Sequence, residues 1–105
     1  MDADNRRTST RYPVDLDGTV TFDDQTHPVH LENLSLGGAF VTGLERLGIG
    51  TTMTFTFSIP THEAPINVDA TVRWSTDLGV GIQFGSLRAR EVWSLNKYFE
   101  DFALS

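Results

Sequence analysis

Cysteine is absent from this 105-residue chain, which excludes disulfides and thiolate chemistry and is compatible with a reducing compartment. No apolar run approaches the length that spans a bilayer, and the first residues, Met1-Asp2-Ala3-Asp4-Asn5-Arg6, lack the apolar stretch of a signal peptide. The expectation is a soluble protein of the cytoplasm with no membrane insertion. Basic residues are few: 8 Lys and Arg against 14 Asp and Glu give a net charge of −6. Long-range repulsion therefore disfavours DNA, RNA and anionic membrane surfaces as partners. Three of the eight basic residues nonetheless stand together as Arg6, Arg7 and Arg11, a local positive cluster that a small, compact anion can use.

Catalytic and metal patterns are missing as well. Ser35 is not in a G-x-S-x-G elbow, and no His or Asp is placed to activate it. His27 and His30 are three apart, so on a strand they face opposite ways, and no third ligand has a fitting spacing. We expect no catalytic residue, no metal and no cofactor, with His27 and His30 on the surface or in a hairpin.

What the chain does contain is period-two alternation, enough for one domain with a single core. Val14, Leu16, Gly18, Val20 and Phe22 alternate with polar residues, Asp23-Asp24-Gln25 reads as a turn, and Val29 and Leu31 continue into a second strand of a hairpin. Ala39-Phe40-Val41-Thr42 follows as a third strand, and residues 44–50 as a connection broken by glycine. The alternating run of Met53, Phe55, Phe57 and Ile59 ends at Pro60; further runs cover Ile66 to Trp74 and Val80 to Phe84. Six strands with mostly short connections favour an antiparallel sheet closed into a barrel, since closure removes exposed edges. Ser86 can cap a helix over residues 87–104 that carries Val92, Leu95, Phe99 and Phe102 on one face, which we expect to pack on the barrel. The expected fold class is thus all-β dominated, a six-stranded antiparallel barrel with a C-terminal helix. Residues 1–12 form a flexible N-terminal arm with no anchoring apolar side chain between Met1 and Tyr12, and residues 13–105 the barrel and helix.

Two stretches carry chemistry. Asn33-Leu34-Ser35-Leu36-Gly37-Gly38 offers small-residue backbone, an amide with donor and acceptor, and a hydroxyl. If the strand continues, Asn33 and Ser35 share one side, Leu34 and Leu36 point to the core, and Gly37-Gly38 allows a positive φ or a bulge. Arg6, Arg7 and Arg11 add three guanidinium groups, which bind phosphate oxygens or the O6/N7 edge of guanine bidentately. The hairpin carries Asn33 back to where Arg11 enters, so both stretches can serve one site. A guanine nucleotide fits it.

Arg7-x-x-x-Arg11 together with Asn33-x-Ser35-x-x-Gly38 resembles the two-part signature of the PilZ domain, a bacterial module that binds the second messenger cyclic di-GMP. The likeness extends over most of the chain, through the later strands and the closing helix. It implies a barrel followed by a helix and a receptor rather than an enzyme; with one domain in the chain, we expect a stand-alone receptor. By this resemblance Arg7 and Arg11 hold phosphate oxygens and guanine edges, Asn33 and Ser35 hydrogen-bond guanine, and Gly38 keeps the surface open to the flat base. Arg6 matches an arginine associated in the family with binding two stacked ligand molecules. Asn33 stands where the family has Asp or Asn. Trp74 stands at a strand end where some members place an aromatic side chain against the ligand; the other reading is a core tryptophan continuing the apolar face from Val72. The arm would close over bound cyclic di-GMP and alter the surface shown to an effector protein that the sequence does not identify. The alternative is a PilZ-like interaction module that does not bind the nucleotide.

Overall fold

Phe22 and Gln25 pair across a two-residue loop in which Asp23 and Asp24 both have positive φ, 52° and 61°. This is the type I′ geometry that matches the twist of a hairpin, and short Asx side chains tolerate it. It sets the register of the two longest neighbouring strands, β1 (Tyr12–Phe22) and β2 (Gln25–Leu34). The computed structural model describes residues 10–44 and 47–104. Arg6 and Arg7, with most of the expected arm, lie outside the described residues.

Four further strands follow: β3 (Gly38–Thr42), β4 (Thr52–Phe57), β5 (Ile66–Ser75) and β6 (Val80–Phe84). All pairings are antiparallel, and the order β1-β2-β3-β6-β5-β4 closes through β1 with β4 into a barrel. The alternation that predicts the strands also fills the interior. Val20, Leu31, Val41, Phe55, Val72 and Val80 are fully buried. Phe55, Phe57 and Phe84 stack on one another inside, with centroids 5.1 to 6.1 Å apart. Ile59 is buried but stands beyond the end of β4 at Phe57, so the alternation there outlasts the ladder.

Helix α1 spans Ala89–Leu104, starting later than the sequence suggests. Ser86 is not its cap. Glu91 Oε1 accepts a hydrogen bond of 2.9 Å from the Arg88 N–H, so a carboxylate three residues into the helix satisfies a backbone donor at its start. Leu95 and Phe99 are buried against the barrel, and the Phe99 ring stacks on Tyr12 at 4.4 Å and 12°. Val92 is half-buried, and the Phe102 side chain lies outside the described residues. Thr61 Oγ1 donates to the Ser94 carbonyl at 2.7 Å, and His62 Nδ1 lies 2.7 Å from Ser94 Oγ, fastening the helix to the β4–β5 loop. No helix among the described residues is long and apolar enough to cross a membrane.

Candidate functional site

Two departures from regular strand geometry build the site. The first is at the end of β2, where the register with β3 shifts between Leu31 and Asn33 and the strand stops at Leu34. Asn33 and Ser35 therefore do not share an outward face. Asn33 stays half-exposed, and its Oδ1 accepts from the Phe40 N–H at 3.2 Å and from Arg11 Nη1 at 3.1 Å. Ser35 turns inward and is 2% exposed.

The Ser35 hydroxyl organises the turn that follows. Its Oγ accepts from the Gly37 and Gly38 N–H groups, both at 3.1 Å, and donates to the Gly38 carbonyl at 3.2 Å; the Ser35 N–H also reaches that carbonyl at 2.8 Å. These bonds satisfy backbone groups that a tight, buried turn would otherwise leave unpaired. Neither Gly37 nor Gly38 has positive φ. Gly38 is needed for another reason: a Cβ there would lie 2.1 Å from the Ile82 carbonyl oxygen, so only glycine lets β3 and β6 approach.

The second departure is in β5, where the register with β6 shifts between Val72 and Trp74. Val72 pairs with Ile82 and is fully buried, whereas Arg73 and Trp74 are both exposed. The bulge reverses the alternation, so Trp74 lies outside the core instead of continuing the Val72 face. Its indole lies over Gly81 on β6 and stacks on Phe40 of β3, with centroids 5.1 Å apart and planes 11° from parallel. A Cβ at Gly81 would meet the indole at 2.2 Å.

Between these features lies a cleft of about 240 Å3 lined by Arg11, Ser35, Gly37, Gly38, Arg73, Trp74, Gly81, Ile82 and Gln83. Arg11, Ser35, Gly38 and Trp74 of the expected site thus meet in one place, with Asn33 bonded to Arg11 beside them. Arg73, Gly81 and Gln83 are additions that the sequence pattern did not single out. The lining holds two guanidinium groups and no carboxylate, on a chain of net charge −6. Two larger surface hollows, of about 440 and 460 Å3, contain no residue of either motif.

The family model for the PilZ domain matches residues 5–101, nearly the whole chain and both motifs. This chain belongs to the PilZ domain family. Among solved structures, the Bacillus subtilis inhibitor of motility (MotI/DgrA) superposes with a TM-score of 0.80 at 20% sequence identity, over 94% of this chain. The match takes in 52% of that protein's chain, so this PilZ domain spans about half of its length. At that identity the likeness is one of fold. No curated protein matches the sequence.

Outside the cleft, His30 projects from β2 among carboxylates. Its Nδ1 lies 3.2 Å from Asp17 Oδ1, and its Nε2 lies 3.0 Å from Asp15 Oδ1 and 3.7 Å from Glu32 Oε2. The hydrogen bond to Asp17, aided by the charges of Asp15 and Glu32 and partly opposed by desolvation, raises its pKa above the usual histidine value. His27 instead stacks on Phe22, with centroids 5.0 Å apart.

Proposed function

We propose that this PilZ domain is a receptor for cyclic di-GMP and has no catalytic activity. The observation that carries the reading is the cleft itself: two arginines, no carboxylate and an exposed indole, formed where the two motif stretches meet. Guanidinium groups suit phosphate and the guanine edge, and an indole suits the flat face of a base. At about 240 Å3 the cleft accommodates part of a cyclic dinucleotide, and the rest of the ligand lies over its rim.

In this reading Arg7 and Arg11 close on the ligand from the N-terminal side. Asn33 accepts from guanine once Arg11 exchanges its amide partner for phosphate, Ser35 and Gly38 present the turn, and Trp74 supplies the stacking surface. Arg6 supports a second, stacked ligand molecule. Ordering of the arm ahead of Arg11 on binding changes the surface presented to an effector protein in the bacterial cytoplasm.

The test is calorimetric titration of cyclic di-GMP into the parent and into the Arg7→Ala/Arg11→Ala variant. Hydrogen bonds to charged groups are worth roughly 1.5–3 kcal/mol, so each arginine contributes about tenfold to a hundredfold in affinity and the double variant retains little. A stoichiometry near two ligands per chain supports the role given to Arg6. Slowed amide exchange in residues 1–12 on binding supports arm ordering; unchanged exchange removes it. Absence of both heat and ligand-induced NMR shifts overturns the receptor reading in favour of a protein-interaction module.

A further inference from the structure

The β5 bulge has a consequence for charge. A regular strand alternating from Val72 would leave one outward residue at this point, and the register shift leaves two, Arg73 and Trp74. Arg73 thereby reaches the cleft beside the indole. Among the described residues it makes no ion pair, although the chain carries 14 acidic side chains. Arg11 enters the same cleft from its Asn33 contact on β2. Two guanidinium groups, one ahead of β1 and one on β5, therefore line the same acid-free hollow.

We propose that Arg73 is a further phosphate-binding guanidinium of the site, beyond the motif arginines, engaging the ligand beside Trp74. The inference rests on the cyclic di-GMP reading and adds to it a group outside both motifs. A cyclic dinucleotide carries two phosphodiesters, each with one negative charge. Arg11 serves the side next to the arm, and Arg73 the side next to the Trp74 stacking surface. A planar fork is the suitable group there, because it binds two phosphate oxygens at once while lying alongside an aromatic plane. The bulge is then a binding device, since it turns a cation and an aromatic ring outward together at the place where a regular strand would bury one of them.

The experiment is titration of cyclic di-GMP at two salt concentrations into the parent, Arg73→Ala, Arg73→Lys and Arg7→Ala/Arg11→Ala, with a thermal melt of each protein. Arg73→Ala is expected to bind about tenfold to a hundredfold more weakly, with a shallower salt dependence and an unchanged melt, because the side chain is exposed. Arg73→Lys is expected to keep the salt dependence while recovering only part of the affinity, as a point charge replaces a fork. If Arg73→Ala binds within about twofold of the parent while Arg7→Ala/Arg11→Ala does not bind, the role of Arg73 is overturned and the receptor reading stands. If the parent itself does not bind, both are overturned.

Discussion

Arg11 and Asn33, 22 positions apart, are joined by a hydrogen bond of 3.1 Å from guanidinium to amide oxygen. The same oxygen accepts the Phe40 N–H, so one side chain ties the residue ahead of β1, the end of β2 and the middle of β3. The contact ties together the two halves of the PilZ signature, and it holds Arg11 at the cleft.

Asn33→Ala removes the acceptor for both donors. The Phe40 N–H is part-buried, so its loss of a partner should lower the unfolding free energy by about 1 kcal/mol, which for a domain of this size is about 4–8 °C in Tm. Asn33→Asp keeps an acceptor in place and should melt close to the parent. Thermal denaturation of the three proteins, followed by circular dichroism, decides the point. Equal melts for parent and Asn33→Ala would show that the amide makes no net contribution to the fold.

Gly38 tests how the turn is held. Its missing Cβ leaves the only space in which the Ile82 carbonyl can lie, and that obstacle is backbone, which cannot swing aside. Gly38→Ala should cost about 3 kcal/mol by forcing β3 and β6 apart, enough to remove much of the stability of a small domain. Gly48→Ala is the matched control, since its nearest neighbour would be Thr51 Oγ1 at 3.8 Å. Urea denaturation should place the Gly48→Ala midpoint near the parent and the Gly38→Ala midpoint far below it.

The strands were legible because their alternation is nearly unbroken; Met53, Phe55 and Phe57 point inward as their spacing requires. Among the described motif residues, Arg11, Ser35 and Gly38 meet at one cleft, and the hairpin brings Asn33 to Arg11. What periodicity could not reveal is where it fails. The bulge after Val72 inverts the facing of Trp74, and it is a property of pairing with β6, a strand that is not in register with β5 at that point. The end of β2 at Leu34 hides Ser35 for a similar reason. Gln83 was identifiable as an outward residue between Ile82 and Phe84, but not as a neighbour of Gly38, because the β3–β6 pairing joins strands distant in sequence. An adjacent Arg-Trp pair closing an alternating run was the one available signal for Arg73.

His30 makes stability depend on pH. Its pKa is raised in the folded state, chiefly by the hydrogen bond to Asp17. A raised folded pKa means that the protonated form is favoured by folding. The stabilisation is fully present below the unfolded value of 6.5 and is lost as pH rises through the higher folded value. Stability measured by denaturant should therefore fall from slightly acidic to slightly alkaline pH, and His30→Gln should flatten that slope. A slope unchanged in His30→Gln would assign it to another group. NMR titration of the His30 ring, read against a peptide reference, gives the same sign independently.

The indole of Trp74 can be displaced without touching Trp74 itself. Gly81 is where the ring rests, and a methyl group there would fall 2.2 Å from ring atoms. Unlike the Ile82 carbonyl over Gly38, the obstacle is a side chain at the surface, 40% exposed, which can rotate away. Gly81→Ala should therefore fold while separating the indole from Phe40 and from the cleft. The chain has two tryptophans, so a Trp93→Phe background isolates the Trp74 signal. In it, Gly81→Ala should shift Trp74 emission to longer wavelength, as the ring leaves its stack for water. If that ring is the platform for a base, worth roughly 1–3 kcal/mol, cyclic di-GMP affinity should fall by about fivefold to 150-fold. A clear emission shift with unchanged affinity would show that the base does not use the indole, and would leave Arg11 and Arg73 as the contacts of the cleft.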